Sequence, residues 1–128
     1  MNIIAFVQAR TSSKRFPNKI LKKINNLTIL EIIIERLKLS KNINQIVIAT
    51  TDSPSDDKLI KILRKINIKY FRGNENNVLD RFYKAAVQYR ADIVVRITSD
   101  CPLLDPQIVD QVINNLIDKN VEFSSNTN

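Results

Sequence analysis

Apolar runs alternate with amphipathic stretches along almost the whole chain, and no other feature limits the fold as much. Residues 3–7 (Ile-Ile-Ala-Phe-Val) form a continuous apolar run, as expected of a strand covered on both faces. Residues 27–39 then place Leu27, Leu30, Ile33, Ile34 and Leu37 three or four apart, with Glu31, Glu35, Arg36 and Lys38 between them. That spacing predicts a helix, and the Thr28 hydroxyl can cap it by accepting an early backbone N–H. The pattern repeats: strands are expected at 45–50, 68–71 and 91–98, helices at 56–66, 78–89 and 106–119, and the start of another strand at 121–123. Strictly alternating strands and helices argue for a mostly parallel sheet with helices on both faces. Right-handed crossovers leave few topologies, and ligands of such sheets sit at the carboxyl ends of the strands, where strand order reverses.

With 128 residues, 44% of them hydrophobic, the chain has material for one domain with a real core, and no repeat, linker or low-complexity segment divides it. The absence of histidine removes His-based acid–base catalysis, a Ser-His-Asp triad and most zinc sites. A single cysteine, Cys101, excludes an internal disulfide and a multi-cysteine metal site, and it reads better as a small packing residue than as a nucleophile. Metal chemistry would have to run through carboxylates, which favours a hard ion such as magnesium. No apolar run approaches a membrane span and the N-terminus lacks signal-peptide features, so a cytoplasmic location is expected. The net charge of +7 admits nucleic acid, an anionic surface or a phosphorylated small molecule as partners.

The expected strand ends are all polar. The first leads into Gln8-Ala9-Arg10-Thr11-Ser12-Ser13-Lys14-Arg15, with Lys19 close behind. Arginine offers a bidentate fork, lysine a point charge and the hydroxyls further donors, a combination that suits a phosphate chain. With Gly73 the only glycine, neither a Walker loop nor a dinucleotide fingerprint is present. A merely solvated basic loop remains an alternative. The second strand ends at Thr50-Thr51-Asp52-Ser53, where Asp52 could equally serve an Asx-type turn before Pro54. The third ends at Arg72-Gly73-Asn74-Glu75, and the following helix opens with Asp80-Arg81, which could be no more than a surface pair. The fourth ends at Ser99-Asp100-Cys101-Pro102, where Asp100 is either a turn aspartate or a magnesium ligand beside a polyphosphate site.

Four segments together carry a resemblance: QARTSSKRFPNKIL (8–21), IVIATTDSPSDD (46–57), YFRGNENNVLDRFYKAA (70–86) and VVRITSDCPLLDP (94–106). In this order and spacing they resemble the CMP-sugar synthetases, most closely the spore-coat polysaccharide biosynthesis protein F group, relatives of the CMP-KDO and acylneuraminate cytidylyltransferases. The resemblance implies an α/β, Rossmann-like three-layer α/β/α architecture of the nucleotide-diphosphosugar transferase fold. It implies transfer of CMP from CTP to an acidic sugar, with release of pyrophosphate and with Mg2+. Carried over by position, Arg10, Arg15 and Lys19 would hold the triphosphate, with Ser12 and Ser13 in the same cradle. Gln8, Ala9, Thr51 and Asp52 would lie around the nucleoside, Asp80 and Arg81 would help close that pocket, and Asp100 would bind the metal. Ser12, and often Asn18, stands where the family carries glycine.

Family members are longer, so residues 1–128 resemble the N-terminal, nucleotide-binding part of a cytidylyltransferase domain. CTP binding without strong turnover is the corresponding expectation. The implied partners are CTP and an acidic sugar, with no nucleic acid and no membrane, and with a homodimer as an assembly the family permits. Three other readings stay open: a nucleotide-binding module without catalysis, a nucleotidyltransferase for another sugar or nucleotide, and a nucleic-acid binder driven by charge alone.

Overall fold

The computed structural model describes residues 1–11, 19–98 and 104–118. Four parallel strands form the central sheet: β1 (Ile3–Gln8), β4 (Gln45–Thr51), β5 (Lys69–Gly73) and β6 (Ile93–Thr98), in the order β5-β4-β1-β6. The chain steps outward from β1 to β4 and β5, then returns to place β6 on the other side of β1. Strand order therefore reverses between β1 and β6, and the crevice at their carboxyl ends is where such a sheet holds its ligand. Register aligns Gln8 with both Ala49 and Thr98, and Thr51 with Gly73, so the strand ends form one row.

Helices cover both faces. Ala5 and Val7 of β1, with Ala9 just past its end, share a cluster with Leu30, Ile33, Ile34 and Leu37 of α1 (Ile29–Leu37) and with Leu59, Ile60 and Leu63 of α2 (Asp57–Lys65). Ile3 meets Val109 and Ile113 of α4 (Pro106–Asp118) on that same side. The alternate residues Ile4 and Phe6 pack with Val47, Ala49 and with Phe82 and Ala85 of α3 (Val78–Gln88). The period of two along β1 thus divides it between two helical layers, which is why its sequence is apolar without interruption. No helix among the described residues is long and apolar enough to cross a membrane.

Among the described residues the expected elements are present, with boundaries shifted by a few residues, and one segment is corrected. Residues 27–28 do not belong to the helix. Leu27–Thr28 (β3) pairs antiparallel with Lys23–Ile24 (β2), and the two-residue turn uses Asn25 and Asn26 at φ 52° and 73°. Asparagine tolerates this left-handed region better than most residues, so Asn-Asn supports a tight hairpin turn that helical spacing alone does not reveal. Leu27 is accordingly 41% exposed rather than part of the apolar helix face. Thr28 caps α1 as expected, accepting the Glu31 N–H at 3.1 Å, while the Glu31 carboxylate reaches back to the Thr28 N–H. The strand expected at 68–71 runs on to Gly73 because Arg72 and Gly73 keep their register with Thr50 and Thr51. The strand expected at 121–123 lies outside the described residues.

Candidate functional site

Polar side chains gather at the carboxyl end of the sheet. Past Gln8, the chain continues beside β4 through an Ala9 N–H bond to the Ala49 carbonyl at 3.1 Å. Ala9 and Thr11 are buried and Arg10 between them is exposed, so the alternation that builds β1 directs Arg10 outward. The Ala9 side chain belongs to the core, which leaves only its backbone for a ligand. Gln8 is half-buried, and its Oε1 accepts from Arg96 at 3.3 Å across the β1–β6 crevice. The Arg96 guanidinium lies 4.8 Å from the centre of the Phe82 ring, a stacked cation–π contact.

At the end of β4, Thr51 is fully buried and Asp52 is exposed, its N–H bonded to the Gly73 carbonyl at 2.9 Å. Arg72 braces this corner from β5. It donates to the carbonyls of Thr51 (2.8 Å) and Ser53 (2.9 Å) and pairs with Asp57 at 2.9 Å.

Asp80 and Arg81 do not act as a pair. Asp80 faces partly outward and meets Lys84 one turn on, at 3.1 Å. Arg81 turns inward and is 1% exposed, the largest fully buried side chain among the described residues. It donates to the Asn74 carbonyl at 3.1 Å, and its Nε has no partner among the described residues. Burial lowers its pKa first, the nearby positive charge of Arg10 lowers it further, and Asp56 opposes both. A guanidinium so placed favours an added negative charge. The single glycine accounts for its position. A Cβ at Gly73 would come within 2.8 Å of the Arg81 Cγ, so only glycine lets α3 seat that side chain beneath the strand ends.

The strand ends thus bring together Gln8, Arg10, Thr51, Asp52 and Arg81, with Asp80 turned aside. Ser12, Ser13, Lys14, Arg15, Asp100 and Cys101 lie outside the described residues, as does the Lys19 side chain, although its backbone enters a 3-10 turn, Lys19–Leu21. Sequence reading missed Arg72, Arg96 and Asp56. Arg96 could have been found from its strand, where a charged residue interrupts an apolar run; it pairs with Phe6, two residues before the register partner of Gln8. Asp56 carried no such signal, since an aspartate before a helix reads as a cap.

The chain belongs to the cytidylyltransferase family. That family's model, described as cytidylyltransferase, matches residues 4–128. Among curated proteins, the chain is 42% identical to the uncharacterized protein MJ1063 of Methanocaldococcus jannaschii, over 100% of this chain and 53% of that one. It is 35% identical to the spore coat polysaccharide biosynthesis protein SpsF of Bacillus subtilis, over 97% of this chain and 54% of that one. A solved cytidylyltransferase from Leptospira borgpetersenii matches with a TM-score of 0.85 and 39% identity, covering 91% of this chain and 49% of that one. The chain therefore spans about half the length of the relatives it matches.

Proposed function

We propose that this chain binds CTP at the carboxyl ends of β1, β4 and β6. Within the cytidylyltransferase domain it belongs to, it would transfer CMP to a hydroxyl of an acidic sugar, releasing pyrophosphate. In this reading Arg10, Arg15 and Lys19 hold the triphosphate and stabilise the charge that develops on the departing pyrophosphate. Gln8, Ala9, Thr51 and Asp52 border the nucleoside, and Arg81 closes the pocket from α3. In-line attack on the α-phosphorus needs positioning and charge neutralisation rather than a covalent intermediate, so a site without histidine is adequate.

The observation that carries the reading is the buried Arg81 guanidinium, with Nε unpaired among the described residues, close enough to exposed Arg10 for the two charges to oppose each other. Two such cations at a strand-order reversal suit a polyanion. Magnesium fits the available donors by their chemistry. The chain offers carboxylates and no histidine, and magnesium is held by one or two carboxylates together with substrate phosphates. Asp100 would be its protein ligand, and the bound ion would neutralise phosphate charge. Among the described residues no group of three or more potential metal ligands occurs.

Calorimetric titration with CTP and magnesium, beside UTP and an Arg10→Ala variant, tests the proposal. CTP should bind at least tenfold more tightly than UTP, and the variant should lose at least tenfold in affinity. Equal binding of all nucleotides, or none, would reject a cytidine-specific site. Pyrophosphate release on adding an acidic sugar tests the transfer step separately.

A further inference from the structure

The 3-10 turn Pro54–Asp56 delivers Asp56 to the position just before α2. An aspartate there ordinarily accepts from its own helix's first N–H groups. This one makes no capping bond. Its side chain turns back beneath the strand ends and is 0% exposed. Oδ1 accepts the Thr11 N–H at 2.7 Å, and Oδ2 accepts the Thr51 hydroxyl. The Thr11 hydroxyl lies 2.8 Å from Oδ1 and 2.7 Å from the Ser55 carbonyl, one proton between two acceptors. The Thr51 hydroxyl in turn accepts the Ser53 N–H at 3.2 Å. One carboxylate thus fastens the end of β4 to the segment that follows β1, with Asp56 and Thr11 45 residues apart in sequence.

Burying a carboxylate is costly, and a negative charge beside a triphosphate site repels the ligand. Neither helix capping nor ligand attraction explains Asp56. Fixing Thr11 does, because Thr11 sits next to Arg10. With Ala9 held by the core and Thr11 by Asp56, the backbone on both sides of Arg10 is set. Bonds to an ionised acceptor are short and directional, which suits that task. Asp56 also supports the positive charge of Arg81 from below.

We infer that Asp56 is a positioning residue that presets the Arg10–Thr11 corner for the phosphates of the nucleotide. The inference rests on the reading that Arg10 holds the triphosphate.

The test compares the wild-type chain with Asp56→Asn, whose single acceptor oxygen cannot serve both Thr11 and Thr51. Affinities for CTP and for cytidine, by ligand-observed NMR, are read beside the rate of trypsin cleavage after Arg10. The expected result is at least a tenfold loss for CTP, a change within twofold for cytidine, and faster cleavage. A general loss of structure would weaken both ligands alike, and that outcome, or an unchanged cleavage rate, overturns the inference. Should Asp56→Asn fail to fold, Thr11→Val keeps the backbone N–H bond to Asp56 and removes the hydroxyl's, and a smaller loss for CTP with cytidine unchanged is expected; equal losses overturn it. If the wild-type chain binds no CTP, the proposed function fails by itself, and the cleavage comparison still decides whether Asp56 sets the corner.

Discussion

Two aspartates join distant parts of this protein by the same chemistry at different places. Asp56 fastens two strand ends at the carboxyl edge of the sheet, while Asp110, on α4, fastens that helix to the loop leading into β4. Asp110 accepts the Ser40 hydroxyl and the N–H groups of Lys41 (2.9 Å) and Asn42 (3.2 Å). It is partly exposed, whereas Asp56 is wholly buried. Water can replace what Asp110 does. Nothing can replace Asp56 without leaving buried donors unpaired. The Asp110 clamp holds a helix in place; the Asp56 clamp holds the corner from which the candidate site is built.

The largest expected effect breaks the buried clamp. Asp56→Ala strands the Thr11 N–H and the Thr51 hydroxyl, and urea denaturation should show a loss of about 3 kcal/mol. Next comes the same edge approached from α3. Gly73→Ala forces a methyl against Arg81, and a loss of about 2 kcal/mol should accompany weaker CTP binding. A Gly73→Ala chain with full stability and full affinity would mean that Arg81 shifts freely and contributes nothing to the site. Asp110→Ala should cost only about 1 kcal/mol and leave nucleotide affinity unchanged, since its partners can turn to water.

The smallest effect is one of pH. Burial by itself would raise the pKa of Asp110, but the Ser40 hydroxyl and the Lys41 and Asn42 N–H groups outweigh it and hold the value below the ordinary 3.8. The stability Asp110 contributes is therefore present above that ordinary value and is lost as pH falls through its lowered folded value. Between pH 5 and pH 2 the wild-type urea midpoint should fall more than that of Asp110→Asn. Parallel falls would show that the clamp carries no charge-dependent stability.

Much of this was legible beforehand, for reasons tied to particular residues. Ile3 to Val7 could be assigned as a two-faced strand because every position is apolar, and both of its faces are covered. Thr28 was legible as a helix cap and does cap α1, with Glu31 completing a capping box that only the structure shows. The Asn25-Asn26 hairpin was not legible, because its turn depends on backbone conformation that helical spacing does not register. Gln8, Arg10, Thr51 and Asp52 were marked by lying after apolar runs, and they do meet along one edge. The opposite fates of Asp80 and Arg81 were hidden, since neighbours on a helix point about 100° apart and only packing decides which goes inward.

The sequence by itself determined the order of strands and helices, the sheet's parallel character and the polar, basic content of its carboxyl edge. These follow from local periodicity and from the short reach of turns and caps. Tertiary structure alone decided that β6 returns to the far side of β1, that Gly73 makes room for Arg81, and that Asp56 leaves its own helix uncapped to hold Thr11 and Thr51. Each of these depends on groups far apart in the chain that meet only when the sheet assembles, and on burial, which turns an ordinary aspartate into one whose partners cannot be exchanged for water.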